Sequence, residues 1–334
     1  MTPPLITLEE HFISSAAKEP LVPRLLTHIS QWHLFENHFE SFPEAGKGIE
    51  DTDTLRIASM DKNKVSLQVI SHVPGVLSVE HCRATNDQAA TAVKKNPGRF
   101  AAFADLPLAD LEACAEELRR CVQELGFVGA LIGNHADGKY FESYTSLWRT
   151  AQELDVPIYL HPTMPTAEQR KAMYSGDVPP AVSAGIGEYA WGWHSDVAMH
   201  VLRLFGAGVF DEFPRLKIIL GHFGEMLPFM VHRIEFATRH WGKRDRSFSQ
   251  VYAENIWITT SGVWSVDPMA TILRNTSIDK ILYSVDYPFT PNELGLKFME
   301  DLEKSGLVTR EQLEQIAYKN AEALLKIRAT KTFN

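Results

Sequence analysis

Eight short apolar runs, separated by longer stretches of helical periodicity, predict an α/β protein built as a TIM-like (β/α)8 barrel with long insertions after strands 1 and 5. The runs are mostly continuous rather than alternating in polarity, as in strands buried on both faces of a parallel sheet. Amphipathic helical patterns lie between them. No Gly-x-Gly-x-x-Gly follows the first run, so a doubly wound dinucleotide-binding sheet lacks its main signature. At 334 residues, 45% apolar and 22% charged, the chain can bury a large core. Barrels of this kind use such a length as one domain, expected here over residues 1–334.

Taken in order, the first strand is Leu5–Leu8, running into Glu9-Glu10-His11-Phe12. Residues 12–65 exceed one βα unit and contain the first insertion. Leu67–Val73 is the second strand, and Asn86 to Lys95 a helix that stops before the turn signal Asn96-Pro97-Gly98. After the third strand, Phe100–Leu106, comes the clearest helix, Asp110 to Leu125. Its apolar positions Leu111, Cys114, Leu118, Cys121 and Leu125 fall at three- and four-residue steps, with Gly126 as C-cap. Val128–Ile132 and Pro157–Leu160 are strands four and five. The second insertion, residues 163–200, carries Pro, Gly, Met and aromatics. Leu216–Leu220, Ile256–Thr260 and Ile281–Val285 complete the barrel, Gly206-Ala207-Gly208 is a helix-ending turn, and an amphipathic stretch from Arg310 to Ile327 closes the chain. Insertions after barrel strands sit over the active-site face, where they form lids or subunit contacts.

Composition excludes several classes of partner. The net charge of −9, with no compensating Lys/Arg stripe, argues against nucleic acid. Lys243-Arg244-Asp245-Arg246 reads as a solvated loop. Cys82, Cys114 and Cys121 make neither a disulfide framework nor a CxxC metal spacing, and read as buried apolar side chains. The N-terminus has no basic segment followed by an apolar stretch, and no apolar run approaches the roughly 18 residues that span a membrane. A cytoplasmic, reduced, soluble protein is expected.

The active sites of such barrels collect side chains from the C-terminal ends of several strands. Glu9 and His11, two apart, point to one face of strand one. His161 ends strand five, His222 strand six and Asp286 strand eight. Two carboxylates and two or three imidazoles suit Mn²⁺, Zn²⁺, Fe²⁺ or Co²⁺ better than Mg²⁺ or Ca²⁺, which prefer oxygen. His28, His33 and His38 recur every five residues, which is neither helical nor strand spacing, so no second metal site is expected there. His72, His81, His135, His200, His232 and His240 have no convergent partners in the sequence, and His194 is set apart from them by the aromatic segment in which it stands.

Around these residues run Leu8-Glu9-Glu10-His11-Phe12, Arg56-Ile57-Ala58-Ser59-Met60-Asp61, Pro97-Gly98-Arg99-Phe100, Gly126-Phe127-Val128-Gly129-Ala130, Tyr159-Leu160-His161-Pro162, Gly221-His222-Phe223-Gly224-Glu225, Thr259-Thr260-Ser261-Gly262 and Asp286-Tyr287-Pro288-Phe289. In their order and spacing the chain resembles, over nearly its whole length, the amidohydrolase superfamily. The resemblance is to its branch of metal-dependent aromatic acid decarboxylases that use no organic cofactor, such as γ-resorcylate, 2,3-dihydroxybenzoate, salicylate and 5-carboxyvanillate decarboxylases. It implies that Glu9, His11, His161 and Asp286 bind one divalent ion, Zn²⁺ or Mn²⁺, and that Asp286, His222 and Glu225 carry the catalysis. Arg233 is the implied contact for a substrate carboxylate or ring oxygen, or else a helix-surface ion pair; Phe289 and Phe12 line the ring pocket or belong to a subunit contact or the core, and Trp191 and Trp193 cover a flat substrate or form a structural lid. Arg56 has a framework role as ion partner of Asp61, or else reaches a neighbouring subunit's site. A homodimer or homotetramer acting on a small aromatic acid is implied.

Hydrolytic relatives more often begin with His-x-His. Glu9 in the first place lowers the effective charge of the ion and makes a bound water less acidic, which disfavours hydrolysis. The expected reaction is therefore reversible, non-oxidative decarboxylation of an ortho-hydroxylated benzoic acid. Metal-dependent hydrolysis of a lactone or amide is the alternative, and a non-catalytic aromatic-binding barrel a third. Three departures from the resemblance bear on substrate identity and local backbone. Thr290 stands where relatives commonly carry an acid, Thr163-Met164 where an Arg is frequent, and Lys64 where a Gly is usual, with Asn63 expected to take the left-handed position.

Overall fold

Eight strands form where the apolar runs stand: β1 (Leu5–Phe12), β2 (Val65–His72), β3 (Phe100–Ala102), β4 (Ala130–Gly133), β5 (Ile158–His161), β6 (Ile218–Leu220), β7 (Ile256–Thr259) and β8 (Ile281–Leu282). The computed structural model describes residues 2–17 and 48–333. All pairings are parallel and follow chain order, in one sheet β1-β2-β3 and another running from β4 to β8. A bridge between Ala104 and Ala130 joins the two sheets. At the seam between β8 and β1 the backbone N–H groups of Leu8 and Glu9 donate to Ser284 Oγ at 3.0 and 2.8 Å, and His11 N–H donates to the Tyr287 carbonyl at 2.7 Å.

Two apolar layers follow from the period-two alternation of the strands. Ile6, Leu8, Leu67, Val69, Ala101, Phe103, Leu131, Tyr159, Ile219 and Leu282 fill the barrel interior. Leu5, Phe12, Val65, Ile70, Ile132, Leu160, Leu220 and Ile258 pack outward against the helices. In β1 the alternation slips. Thr7 pairs with Gln68 but Glu10 with Ile70, so one extra residue is accommodated between them. This bulge lets Leu8 face the interior core while Glu9 and His11 still face the mouth.

The helices are α1 (Thr54–Lys62), α2 (Val79–Lys95), α3 (Leu111–Gln123), α4 (Thr145–Leu154), α5 (Pro180–Gly187), α6 (Gly192–Gly206), α7 (Leu227–Thr238), α8 (Phe248–Asn255), α9 (Val266–Asn275) and α10 (Asn292–Ser305). A final helical run, Arg310–Glu314 and Asn320–Leu325, is joined by a π turn at Gln315–Lys319. α2 starts earlier than its periodicity suggests because Ser78 Oγ caps it, accepting from His81 N–H. Gly126 adopts φ +74 just past α3, as its C-cap role requires. Among the described residues no helix is long and apolar enough to cross a membrane.

The fold corrects three local expectations. Lys64, not Asn63, takes the left-handed position, at φ 60 against −111 for Asn63. The Asn63 amide is engaged instead, donating to the Ser59 carbonyl at 2.9 Å. Arg244 and Arg246 are not simply solvated. They donate to the carbonyls of Phe205, Gly206 and Phe210, at helix ends where backbone acceptors lack intrahelical partners. Arg56 is fully buried, so it is a framework residue, yet its partner is not Asp61, which pairs with Arg99 and Lys331. Arg56 donates to the carbonyls of His11, Asp51 and Gly48 and lies over the Tyr287 ring. Much of the first insertion, with His28, His33 and His38, falls outside the described residues. The second comprises a short helix Ala167–Gln169, a π turn Arg170–Tyr174, α5 and the start of α6.

Candidate metal centre

At the mouth of the barrel, Glu9, His11, His161 and Asp286 bring one potential ligand atom each to within 4.8 Å of the others. Glu9 and His11 come from β1, His161 ends β5, and Asp286 stands past β8 in a left-handed conformation, φ 73. The Nε2 atoms of His11 and His161 face each other at 3.2 Å. Nδ1 of His161 lies 2.8 Å from the Pro162 carbonyl, an acceptor, so that nitrogen carries the hydrogen and Nε2 presents its lone pair. Glu9 Oε1 is 3.1 Å from His161 Nε2, and Asp286 Oδ1 is 3.4 Å from His11 Nε2. Both oxygens are buried with no hydrogen-bond partner among the described residues. What sets these two apart from other buried unpaired atoms of the chain is that both are carboxylate oxygens aimed at facing imidazoles. A cation between them satisfies all four atoms, and two carboxylate oxygens with two imidazole nitrogens are a donor set for a transition-metal ion.

Residues that sequence reasoning did not single out hold Glu9 in place. Tyr159 and Ser261 both donate their hydroxyls to Glu9 Oε2. Thr259 Oγ1 lies 3.0 Å from the Tyr159 oxygen and 2.9 Å from that of Ser261. Tyr159 sits two residues before His161 on the same strand face, so the alternation that picked out Glu9 and His11 picks it out as well. On the other face of β1, Glu10 is fully buried and accepts from Gln68 Nε2 at 3.1 Å and from the Val285 and Tyr287 N–H groups.

Beyond β6 the backbone makes a left-handed turn. His222, Phe223, Gly224, Glu225 and Met226 have φ of 46, 57, 80, 51 and 68. For each residue with a Cβ this conformation costs roughly 1–2 kcal/mol, so such a run persists only where its surroundings over-determine it. Its result is that His222 Nδ1 meets Glu225 Oε1 at 2.7 Å while His222 Nε2 points to the cluster, 3.9 Å from Glu9 Oε1. Glu225 Oε2 is met by His194 Nδ1, from α6, at 2.6 Å. His194, His222 and Glu225 also gather ligand-type atoms, but direct N···O contacts this short are hydrogen bonds that leave no space for an ion between them.

Burial and mutual charge set the protonation pattern. Burial pushes Glu9 up, but His222, His161 and His11 outweigh it and hold the carboxyl well below its usual range. Burial, and then the charge of Glu9, pushes Asp286 well above the usual carboxylate range. His11 is held well below its ordinary value by burial and by His161. Burial disfavours a charge on His222, yet Glu225 and Glu9 raise it to about 10, and Glu225 falls to about 2 against its own burial, chiefly through His222. One buried imidazolium thus faces two anions, beside a carboxyl whose surroundings favour its protonated form.

The other implied substrate contacts separate. Phe289 is partly buried, with its ring centroid 5.7 Å from that of His11, at the edge of the cluster. Phe12 is not beside it: one residue past His11, it faces outward into the core and packs edge-on to His72. Arg233 is exposed on α7 and is not brought together with the cluster in this chain. Trp191 is exposed, while Trp193 packs edge-on to Tyr189. His135 and His200 do find partners, contrary to expectation. His135 Nδ1 accepts from Gly138 N–H at 3.2 Å, and His200 Nε2 accepts from Phe141 N–H.

Fold and cluster together define a class, the (β/α)8 barrels able to hold a metal ion at the mouth. The family model described as amidohydrolase matches residues 46–327, and the chain belongs to that family. It is 51% identical to the decarboxylase orsB of Emericella nidulans, over 99% of each chain. It is 35% identical to a γ-resorcylate decarboxylase of a Rhizobium species, over 85% of this chain and 88% of the relative. Among solved structures, a dihydroxybenzoic acid decarboxylase from a Polaromonas species, with bound manganese and the inhibitor 2-nitroresorcinol, superposes with a TM-score of 0.81. That match has 32% identity and covers 98% of this chain and 97% of the other.

Proposed function

We propose that this protein is a metal-dependent decarboxylase that removes CO2, without oxidation, from an ortho-hydroxylated benzoic acid, and carboxylates the phenol when bicarbonate is high. The observation that carries this reading is the convergence of Glu9, His11, His161 and Asp286, with an acid rather than a histidine in the first place and orphaned oxygens on both carboxylates. Its relatives of known activity support the same chemistry.

The reaction requires ring carbon C1 to accept a proton, which breaks aromaticity. The bond to the carboxylate then cleaves, CO2 departs, and the bonding pair returns to the ring. Glu9, His11, His161 and Asp286 would hold the divalent ion. When bound, it supplies positive charge to the substrate's carboxylate and adjacent phenolic oxygen. Asp286 delivers the proton to C1, and His222 is the second candidate donor. His222 is held as a cation by Glu225 and aimed at the cluster. Phe289 supplies an apolar edge for the ring. The reaction needs no organic cofactor. Between Zn²⁺ and Mn²⁺, Zn²⁺ is favoured by intrinsic affinity, while Mn²⁺ is the ion of the Polaromonas relative.

We read the chain as one domain that works as a homodimer or homotetramer in the cytoplasm. Met173, Val182, Tyr189 and Trp191 of the second insertion, with Phe229, Met230 and Phe236 of α7, leave large apolar side chains exposed, which supports self-association. The three cysteines are buried free thiols, in keeping with a reducing compartment.

The test is CO2 release by metal-loaded protein from salicylate, 2,3- and 2,6-dihydroxybenzoate and methyl-substituted hydroxybenzoates. Release should cease on chelation and return with Mn²⁺ or Zn²⁺. Asp286→Asn should fold normally while kcat drops about 10²–10⁴-fold. Near-normal turnover in that variant removes Asp286 from the role of proton donor.

A further inference from the structure

Glu225 has no exposed surface, and a carboxylate sealed from water needs donors on both oxygens. His222 serves Oε1 from within the same turn. The donor to Oε2 comes from outside the barrel plan, since His194 belongs to the first turn of α6, at the end of the second insertion. The other nitrogen of His194, Nε2, lies 3.0 Å from the Tyr189 carbonyl. Both neighbours of the ring are acceptors, which is satisfied when both nitrogens carry hydrogen. The two imidazoles lie with centroids 4.8 Å apart, one on each oxygen of the same carboxylate. Rotating that carboxyl about its axis breaks a bond on one side or the other.

The start of α6 is itself anchored. Two residues beyond His194, Asp196 accepts from Asn134 Nδ2 at 2.6 Å and from the Tyr140 hydroxyl at 2.5 Å. Asn134 directly follows β4, so α6 is tied to the loop after one strand by Asp196 and to the turn after another by His194.

We propose that His194 is a positioning residue: it fixes the plane of Glu225, and through it the imidazole of His222 that faces the cluster. The second insertion is then a working part of the site rather than only its cover. The inference rests on the decarboxylase reading solely for the task given to His222.

Two variants separate hydrogen bonding from shape. His194→Phe keeps a ring and removes both nitrogens, whereas His194→Asn keeps a donor near the Nδ1 position on a smaller side chain. Each is measured as metal-loaded protein for kcat and KM with 2,6-dihydroxybenzoate. Each is also examined by proton NMR for the downfield N–H resonance of His222, identified by its loss in His222→Asn. In His194→Phe, kcat should fall about 10–100-fold, as for a lost supporting hydrogen bond, with KM within about threefold and the resonance shifted. His194→Asn should restore both to near the wild-type values. An unchanged kcat and resonance in His194→Phe, or equal losses in both variants, would overturn the proposal. If the wild type turns over no hydroxybenzoate, a resonance shifted in the Phe variant and restored in the Asn variant still supports positioning, and the failure falls on the decarboxylase reading alone. A resonance unmoved in both overturns positioning itself.

Discussion

Glu9 is held at both ends: its backbone N–H donates to Ser284 and its Oε2 accepts from Tyr159 and Ser261, so that Oε1 is left for the cluster. Such outer contacts orient a ligand before any ion arrives and are commonly worth 10–100-fold in metal affinity. Tyr159→Phe should therefore weaken Mn²⁺ binding about 10–100-fold, read by metal retained after dialysis against graded chelator, with the fold kept. Unaltered retention would show that Ser261 suffices alone. At this scale the sequence was readable wherever a residue sits at a strand end. Glu9, His11, His161, His222 and Asp286 all stand at strand ends, and Tyr159 is open to the same rule. His194 was not, because it meets Glu225 only through the packing of α6 over the mouth, a contact no local periodicity encodes. Phe12 shows the rule neglected: as the neighbour of His11 on a strand it has to face the other way.

The elements that shape the site are two irregularities, the bulge in β1 and the left-handed turn from His222 to Met226. The bulge resets the phase of the strand between Leu8 and Glu9, and continuous apolar character gives no hint of it, since every residue of β1 is buried. The turn puts two side chains from one short segment onto one another and onto the cluster. Gly224 is the member that only glycine fits: a Cβ there would come within 2.8 Å of Ile258 Cγ2 and 2.9 Å of Pro228 Cγ, at φ +80. Gly224→Ala should destabilise the protein by about 2–4 kcal/mol in urea unfolding, combining left-handed strain with overpacking. It should also lower kcat, because His222 and Glu225 flank the substitution. A loss below about 0.5 kcal/mol would mean that the turn relaxes freely and is not over-determined. The strands themselves were legible because burial on both faces demands unbroken apolar runs. Strand β8 is shorter than its run, and the chain beyond it carries Asp286 to the cluster, whereas beyond β3 the pairing goes on through the Ala104–Ala130 bridge.

At the scale of the whole molecule, eight parallel strands at chain-order spacing deliver side chains from residue 9 to residue 286 to one mouth. The architecture was legible because each βα unit repeats the same apolar grammar, and a barrel is the closed form of that repeat. The insertions were legible only as lengths. Their composition shows that they are irregular but not what they touch, and the second proves to carry a donor to Glu225. Among the described residues, Phe289 places an aromatic ring beside the cluster. The central claim is that this site protonates an aromatic carbon and releases CO2. It is tested most directly by incubating metal-loaded protein with 2,6-dihydroxybenzoate and methyl-substituted hydroxybenzoates in D2O and following the ring protons by NMR. CO2 is expected in step with a phenol carrying deuterium at the carbon that bore the carboxylate. Acids recovered intact across the panel, from protein shown to hold its metal, would contradict it.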